Sequence, residues 1–203
     1  MKKNRFLNIL LTIVSLIIVF VVVEIGFRIY ANYVTIYDIE MHKYAKKIKR
    51  RSDVSGLSHE HIPNSEAELM NVNVKINNLG FRDDDISEEI DTNEFRTLVI
   101  GSSITLGWGV PFDSVFTSLL ERKLNEDNTD IRNNVINSAN GNYNTYMEYL
   151  YFRKILPIVK PNMVILHYFI NDAEIISPKS ANFFIKNSYL IAYLYVRVKQ
   201  VFH

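Results

Sequence analysis

The stretch VIGSSITLGWGV, Val99–Val110, decides how this chain folds. It closes an apolar run that begins at Arg96, and a short run without polar alternation is typical of a strand buried on both faces of a sheet. Gly101, Gly107 and Gly109 are three of only seven glycines in the chain. The pattern predicts a strand that ends in a tight turn, with a serine at the edge of the sheet.

The spacing of this loop excludes three common glycine-rich motifs. A phosphate-binding loop needs lysine where Trp108 stands, and a dinucleotide-binding loop needs a third glycine soon after Gly109. The hydrolase elbow G-x-S-x-G needs glycine at Thr105. What remains is a strand-to-helix turn that presents Ser103, or a turn whose hydroxyl groups only satisfy the local backbone. Considered alone, the loop favours the second interpretation.

Strand and helix patterns alternate after this loop. Asn134–Asn137 and Met163–Ile170 are two further short strands, and the second is predicted to be buried. The two intervening helices each have an apolar face, formed by Phe116, Leu119, Leu120 and Leu124 in the first and by Met147, Leu150, Tyr151 and Ile155 in the second. The order strand, helix, strand, helix, strand predicts a parallel α/β sheet, and ligands of such sheets bind at the carboxyl ends of the strands.

Capping residues predict where the helices begin. Asp113 or Ser114 is expected to cap the first helix, and a capping box at Thr145–Glu148 is expected to begin the second. Two prolines bracket the end of that second helix. Asn182–Phe202 is predicted to be a further helix, and its three basic residues argue against a second membrane span.

Two more loops leave the predicted carboxyl edge of the sheet. The loop at Ser138–Asn144 places the backbone N–H of Gly141 there, and the loop from Asn171 places a carboxamide there. With the backbone N–H of Ser103 they make a three-donor oxyanion hole, in which each donor stabilises a tetrahedral oxyanion by roughly 3–4 kcal/mol. Separately, Gly141 is typical of a turn and Asn171 of a helix cap. Together they favour a site in which Ser103 is the nucleophile.

Three segments in this order resemble the SGNH (GDSL-type) hydrolases. Val99–Val110 is similar to the first block of that family, whose common form is GDSxTxGxG. Asn137–Asn144 resembles the second block with its glycine, and Val164–Asp172 resembles the third block with its asparagine. Asn78–Asp83 also resembles a segment that precedes the first block in membrane-anchored members.

The resemblance implies a flavodoxin-like three-layer α/β/α fold and hydrolysis or transfer of an acyl ester, commonly an acetyl group on a glycan. It also implies that Ser103 is the nucleophile and that its N–H, Gly141 and Asn171 form the oxyanion hole. No cofactor and no metal ion are predicted. The expected function is a membrane-anchored serine esterase acting on a carbohydrate or lipid ester. Two alternatives stay open: an O-acyltransferase that modifies a cell-surface polysaccharide with the same serine, and a non-catalytic glycan-binding module.

Two features depart from the family pattern. Ser102 stands where the family usually has aspartate, so the hydrogen bonding of the loop must differ. The family's general base is a histidine in a late D-x-x-H block, and none of the five histidines has aspartate three residues before it. His59 and His61 lie in a polar connector and are weak substitutes, and His167 is predicted to be a packed or hydrogen-bonded core residue. The chain is therefore expected to be the N-terminal portion of a longer enzyme, inactive as written.

The N-terminus predicts a membrane anchor. Phe6–Tyr30 supplies the roughly 20 mostly apolar residues that a transmembrane helix needs, and its end has no small-x-small cleavage site. We expect a single-pass, uncleaved signal anchor that contacts membrane lipid through residues 6–30, with the catalytic domain extracytoplasmic by the family resemblance. Charge leaves the orientation open, because the basic residues before the apolar run are matched by a basic run at 43–51.

Charge and composition set the remaining limits. The predicted organisation is an anchor at 1–30, a polar and basic connector at 31–70 and an α/β domain at 71–203. Residues 1–51 carry ten Lys or Arg against three acids, and residues 52–203 carry thirteen against nineteen. The mildly acidic body excludes a nucleic-acid-binding protein of the basic-face type. Because the chain has no cysteine, disulfides and thiolate nucleophiles are excluded as well.

Overall fold

The computed structural model describes residues 2–87, 89–126, 130–174 and 182–202. By internal contacts the chain divides into two compact units, Met1–His42 with Ser180–His203, and Lys43–Lys179. The second unit includes residues 43–70, which the sequence predicts to be a connector. The predicted boundary at residue 71 stays a prediction.

The described residues form seven α-helices and seven strands. The helices are α1 (Lys2–Tyr33), α2 (Tyr37–Lys47), α3 (Ser103–Leu106), α4 (Phe116–Asn125), α5 (Thr145–Val159), α6 (Phe183–Asn187) and α7 (Tyr189–Val201). The strands are β1 (Lys49–Arg51), β2 (His59–His61), β3 (Glu66–Leu69), β4 (Val72–Lys75), β5 (Glu94–Gly101), β6 (Arg132–Asn137) and β7 (Met163–His167). Two short 3-10 helices occupy Phe112–Ser114 and Ile170–Ala173.

The central element of the second unit is a parallel three-stranded sheet in the order β6-β5-β7. Val99 of β5 is in register with Asn137 of β6, and Gly101 is in register with His167 of β7. Two antiparallel hairpins, β1-β2 and β3-β4, precede the sheet. The predicted mixed α/β class with a parallel sheet is therefore confirmed, and strand β5 lies in the middle of it.

One face of the sheet is covered by α5. Leu98, Ile100 and Ile136 from the strands form a single apolar cluster with residues of the helix. The helix contributes Met147, Tyr151 and Ile155, which are all buried, and Leu150 packs against the same cluster. The apolar stripe predicted for this helix is therefore the stripe that faces the core.

Both predicted helix caps were wrong by one or two residues. Helix α4 follows the 3-10 turn Phe112–Ser114, so its N-cap is Val115 and no side chain caps it. Helix α5 is capped by Asn144, whose Oδ1 accepts a hydrogen bond from the N–H of Met147 at 3.0 Å. Because the cap lies one residue earlier than predicted, Glu148 is beyond the capping-box position and is buried instead.

The prediction of a buried third strand was also wrong. Strand β7 ends at His167 and lies at an edge of the sheet, where Val164 and Leu166 are 42% and 53% exposed. On the neighbouring α4, Phe116 and Leu119 are exposed as well. An apolar run identifies a strand whose faces can be buried, but what covers them depends on distant elements that the run does not specify.

The first unit is helical. Helix α1 is long and apolar enough to cross a membrane over Asn4–Tyr33, and the side chains of its apolar run are exposed. The predicted helix at Asn182–Phe202 is two helices, α6 and α7, separated at Ser188, whose side chain caps α7 by accepting from the N–H of Ile191 at 3.0 Å. Among the described residues, α1 is the one helix that is long and apolar enough to cross a membrane.

Candidate active site

The turn after β5 is built as the sequence predicts. Strand β5 ends at Gly101, Ser102 is the N-cap of α3, and α3 begins at Ser103. The Thr105 side chain folds back over Gly101, so that a Cβ added to Gly101 would lie 2.0 Å from Thr105 Oγ1. Gly107 ends the helix with a left-handed φ of 77°, which glycine adopts without strain. Gly109 also has a left-handed φ, of 75°, so each of the three loop glycines has a defined geometric reason.

Ser103 is half-buried at the first residue of α3. Within the part of the chain that the structure describes, its hydroxyl makes no hydrogen bond. The hydroxyls of Ser102 and Ser103 differ in exposure, since Ser102 is buried with 6% of its surface exposed. Ser103 is therefore the serine of this turn that a ligand reaches.

The loop after β5 contacts the loops after both neighbouring strands. The N–H of Asn140 donates to the carbonyl of Gly101 at 3.2 Å, which joins the first loop to the second. Thr105 Oγ1 and His167 Nδ1 are 2.8 Å apart, which joins the first loop to the end of β7. These contacts follow from the parallel sheet, because the carboxyl ends of its strands meet at one edge.

The second and third loops also contact each other. Asn144 Nδ2 donates to the carbonyl of Glu174 at 3.0 Å, and Thr145 Oγ1 donates to the carbonyl of Asp172 at 3.1 Å. Asn171 lies in the 3-10 helix Ile170–Ala173 of the third loop. It is exposed, and its side chain makes no hydrogen bond among the described residues. The structure thus brings the loops that carry Ser103, Gly141 and Asn171 to the same edge of the sheet.

The backbone N–H of Gly141 is already engaged. It donates to the Tyr44 hydroxyl oxygen at 3.0 Å, and that hydroxyl lies 2.6 Å from His61 Nε2. His61 Nδ1 lies 3.1 Å from the carbonyl of Gly80, which can only accept, so the imidazole proton is on Nδ1. Tyr44 therefore donates to His61 and accepts from Gly141. The oxyanion role of Gly141 stays a prediction, and it requires an acyl oxygen to replace the tyrosine oxygen.

The carbonyl of Gly141 is also held by connector residues. Lys49 Nζ donates to it at 2.7 Å, and His59 Nε2 donates to it at 2.9 Å. Lys49 also lies 4.2 Å above the centre of the Tyr44 ring. Sequence reasoning missed Tyr44 and Lys49, because they belong to a polar segment without a recognisable motif and meet Gly141 only through the fold.

Burial favours the uncharged forms of Lys49, His59 and His61. It lowers the pKa of the His59 and His61 imidazoles to about 3, and the charge of Lys49 acts in the same direction. Burial also lowers the pKa of the Lys49 ammonium to about 7. Near neutral pH the two histidines are therefore neutral, and Lys49 loses its proton more readily than an exposed lysine does.

The histidines considered as substitutes for the missing base all have other partners. His59 Nδ1 lies 2.7 Å from Ser58 Oγ, so with Gly141 both of its ring nitrogens are engaged. His61 is engaged by Tyr44 and the Gly80 carbonyl. His167 is bonded to Thr105 and packs edge-on against Phe116 at 5.5 Å, as expected for a hydrogen-bonded structural residue. Among the described residues, no histidine is hydrogen-bonded to Ser103.

Arg82 fixes the loop that follows Ser103. Its side chain is buried, with 1% of its surface exposed, and Nη1 donates to the carbonyls of Leu106 at 2.8 Å and Gly107 at 2.6 Å. Nη2 donates to the carbonyl of Val110 at 2.6 Å. One guanidinium thus binds both ends of the turn that ends α3. The only sequence signal for this role is the Asn78–Asp83 segment, in which Arg82 lies.

We expect Tyr44→Phe to lower the free energy of unfolding of the second unit by about 2–3 kcal/mol. The change leaves the N–H of Gly141 and Nε2 of His61 buried without a partner, and such groups each cost about 1–3 kcal/mol. Denaturant unfolding in detergent can be followed by the fluorescence of Trp108, whose ring lies 5.2 Å from that of Tyr44. Tyr149→Phe, at an exposed position, is the matched control. Equal midpoints for both variants would contradict the network.

A buried carboxyl group makes stability depend on pH. Glu148 has 1% of its surface exposed, and neither of its carboxyl oxygens has a hydrogen-bond partner among the described residues. Burial, with a smaller contribution from the charge of Asp172, raises the pKa of Glu148 to about 7. The folded chain therefore keeps a proton on Glu148 between about pH 4.5 and 7, where the unfolded chain releases it. The stability that comes from keeping Glu148 protonated is fully present below about pH 4.5, and it is lost as the pH rises from there to about 7.

Glu148→Gln is expected to abolish this dependence, because glutamine resembles the neutral acid. At each pH the quantity to measure is the free energy of unfolding of the variant minus that of the unchanged chain. This difference should be about 2–3 kcal/mol larger at pH 8 than at pH 4.5. Glu68→Gln, on the exposed side of β3, is the control and should show no such difference. A Glu148→Gln gain that is the same at both pH values would show that the carboxyl is ionised when folded.

Comparisons with known proteins add no further constraint on the site. A scan against protein-family models and a search of curated proteins both find no match to this chain.

Proposed function

We propose that this chain is a membrane-anchored serine esterase of the SGNH (GDSL-type) class, with the flavodoxin-like fold of that class and an extracytoplasmic catalytic unit. The observation that carries the proposal is the position of Ser103. It is an accessible serine at a strand-to-helix turn on the carboxyl edge of a parallel sheet, beside the loops of Gly141 and Asn171. The preferred substrate is an O-acetyl ester of a carbohydrate, and a lipid ester is the alternative.

The chemistry proposed for this site is acyl transfer to Ser103. Its oxygen attacks the acyl carbon, and the N–H groups of Ser103 and Gly141 with the Asn171 amide stabilise the oxyanion. The bond between the acyl carbon and the ester's alkoxide then breaks, and the alkoxide leaves with the proton that the Ser103 hydroxyl has lost. Water attacks the acyl-enzyme, the acid is released, and a proton of the water returns to the Ser103 oxygen. If a sugar hydroxyl replaces water in the last step, the same intermediate makes the protein an O-acyltransferase.

A second function is favoured by a specific feature of the site. The N–H of Gly141 is bound to Tyr44, and Ser103 has no hydrogen-bonded base among the described residues. A serine without an adjacent base is a weak nucleophile. These two observations favour a non-catalytic module that binds an acylated glycan at the same edge of the sheet.

Ser103→Ala tests the proposal. In detergent or nanodiscs, any hydrolysis of 4-nitrophenyl acetate by the full chain above the buffer rate is expected to fall at least about 100-fold in Ser103→Ala, as removal of a nucleophile does. Ser102→Ala, the buried neighbour, serves as control and should retain most of the rate. A fluorophosphonate probe should label Ser103, as located by peptide mass spectrometry. Equal rates for the chain and Ser103→Ala would disprove the nucleophile.

The same experiment separates the alternatives. Transfer of the acetyl group to an added oligosaccharide, detected by its mass, indicates an acyltransferase. No turnover and no probe labelling, together with binding of an acetylated polysaccharide that Ser103→Trp abolishes, indicates the binding module.

A further inference from the structure

In the first unit, a carboxylate of α1 holds the start of α7. Glu24 accepts hydrogen bonds from Ser188 Oγ at 2.7 Å and from the N–H groups of Tyr189 at 2.9 Å and Leu190 at 3.0 Å. These are N–H groups that the first turn of a helix leaves without internal partners. Glu24 directly follows the apolar run of α1, which ends at Val23. The start of α7 is therefore fixed beside the end of that run.

Arg28 strengthens the same junction. It lies one turn after Glu24 and donates to the carbonyl of Asn187 at 2.6 Å, the last residue of α6. Its guanidinium also lies 4.4 Å from the centre of the Tyr189 ring. Both ends of the α6-α7 junction are thus bound to the same two turns of α1.

Helix α7 has one packed face and one exposed apolar face. The packed face contains Ala192, which is buried, and Tyr193, whose ring lies 5.3 Å from that of Phe27. The exposed apolar residues are Leu194, Tyr195, Val198, Val201 and Phe202, at 49–81% exposure. Their spacing places them on a single stripe about 120° wide, opposite the packed face. Phe183 and Phe184 of α6 are exposed as well, at 73% and 65%.

We propose that this stripe, with Phe183 and Phe184, lies in the membrane interface, so that α6 and α7 form an in-plane second contact with lipid. The proposal rests on α1 spanning a membrane. Helix α7 has 13 residues and is about 20 Å long, too short to cross an apolar layer of about 30 Å. The run Phe6–Val23 is about 27 Å long and nearly fills that layer by itself, so Glu24, and with it the start of α7, lies close to where the layer ends.

Charge placement agrees with this orientation. Arg197 and Lys199 lie on either side of the stripe rather than within it, as in helices that rest in an interface. Arg197 is further drawn away from the stripe by Asp38, 3.0 Å from its guanidinium. Tyr195 is of a residue type enriched at the level of lipid headgroups, and Phe and Leu are typical of the apolar face of interfacial helices. Lipid is therefore the occupant that fits this face.

Single-cysteine labelling tests the proposal, because the chain has no native cysteine. Leu194→Cys and Val198→Cys place an environment-sensitive NBD label on the stripe, and Gln200→Cys places it at an exposed position outside the stripe. The full-length variants are reconstituted in vesicles of phosphatidylcholine and phosphatidylglycerol. Lipids carrying a nitroxide near the headgroup then quench labels that contact the bilayer.

We expect several-fold stronger lipid quenching and a blue-shifted emission at positions 194 and 198 than at position 200. Quenching no stronger than at position 200 would overturn the proposal. A blue shift without lipid quenching would also overturn it, and would show that protein, such as a second copy of the chain, covers the stripe. Unchanged Trp108 fluorescence in all three variants verifies that the second unit is folded.

Discussion

Arg82→Met is expected to lower the free energy of unfolding of the second unit by about 3–5 kcal/mol, because hydrogen bonds from a charged donor contribute about 1.5–3 kcal/mol each and three carbonyls, two of them buried, lose their partner. Those carbonyls belong to Leu106, Gly107 and Val110. The turn that ends α3 should loosen as a consequence, and with it the position of Ser103. Arg82→Lys should recover only part of the loss, since one ammonium cannot bind both ends of the turn.

Trp108 reports this change directly. It is the only tryptophan in the chain and lies inside the turn that Arg82 holds. Denaturant unfolding followed by its emission gives the loss of stability, and its accessibility to acrylamide in the folded state gives the loosening. Arg122→Met, at an exposed position on α4, is the matched control. If Arg82→Met and Arg122→Met unfold at the same denaturant concentration, Arg82 does not hold the loop.

Gly101→Ala is expected to cost about 3 kcal/mol or more, at the upper end of what overpacking costs. The new Cβ would lie 2.0 Å from Thr105 Oγ1 and 3.1 Å from the carbonyl oxygen of His167. The first neighbour is a side chain that can be removed, and the second is strand backbone that must shift. We therefore expect Gly101→Ala/Thr105→Ala to recover most, but not all, of the lost stability.

A double-mutant cycle measures this coupling. The cycle also needs Thr105→Ala as the second single variant, and Gly109→Ala is a control in the same loop. Gly109 has a φ of 75°, and its added Cβ would meet only Met70 at 3.6 Å, so its cost of about 1–2 kcal/mol is that of backbone conformation alone. Additive effects of the Gly101 and Thr105 changes would show that the two residues are not in contact.

Local patterns predicted the parts of the fold that are set locally. The apolar run before Gly101 identified β5, and the i, i+3, i+4 spacing identified the buried face of α5. The position of Ser103 at the strand-to-helix turn followed from the same short stretch. The meeting of the three loops at one edge followed from the prediction that the strands are parallel. That prediction came from the alternation of strands and helices along the sequence.

The partners of Gly141 were not predictable in this way. Tyr44 and Lys49 are separated from it by 97 and 92 residues, and no periodicity relates positions so far apart. For the same reason, the run at Met163 identified a strand but not its exposure. An apolar pattern gives the faces that an element can bury, whereas burial itself is decided by what the rest of the chain places against it.

The hydrogen bonds between Gly141 and the membrane-proximal residues have a practical consequence for work on a soluble form. Cutting the chain at the predicted boundary, before residue 71, would remove Tyr44 and Lys49 and leave both backbone groups of Gly141 without these partners. Such a fragment would retain Ser103 but alter the wall of its crevice, and its inactivity would be uninformative. A soluble form that begins at Lys43 keeps these contacts, because the second compact unit begins there.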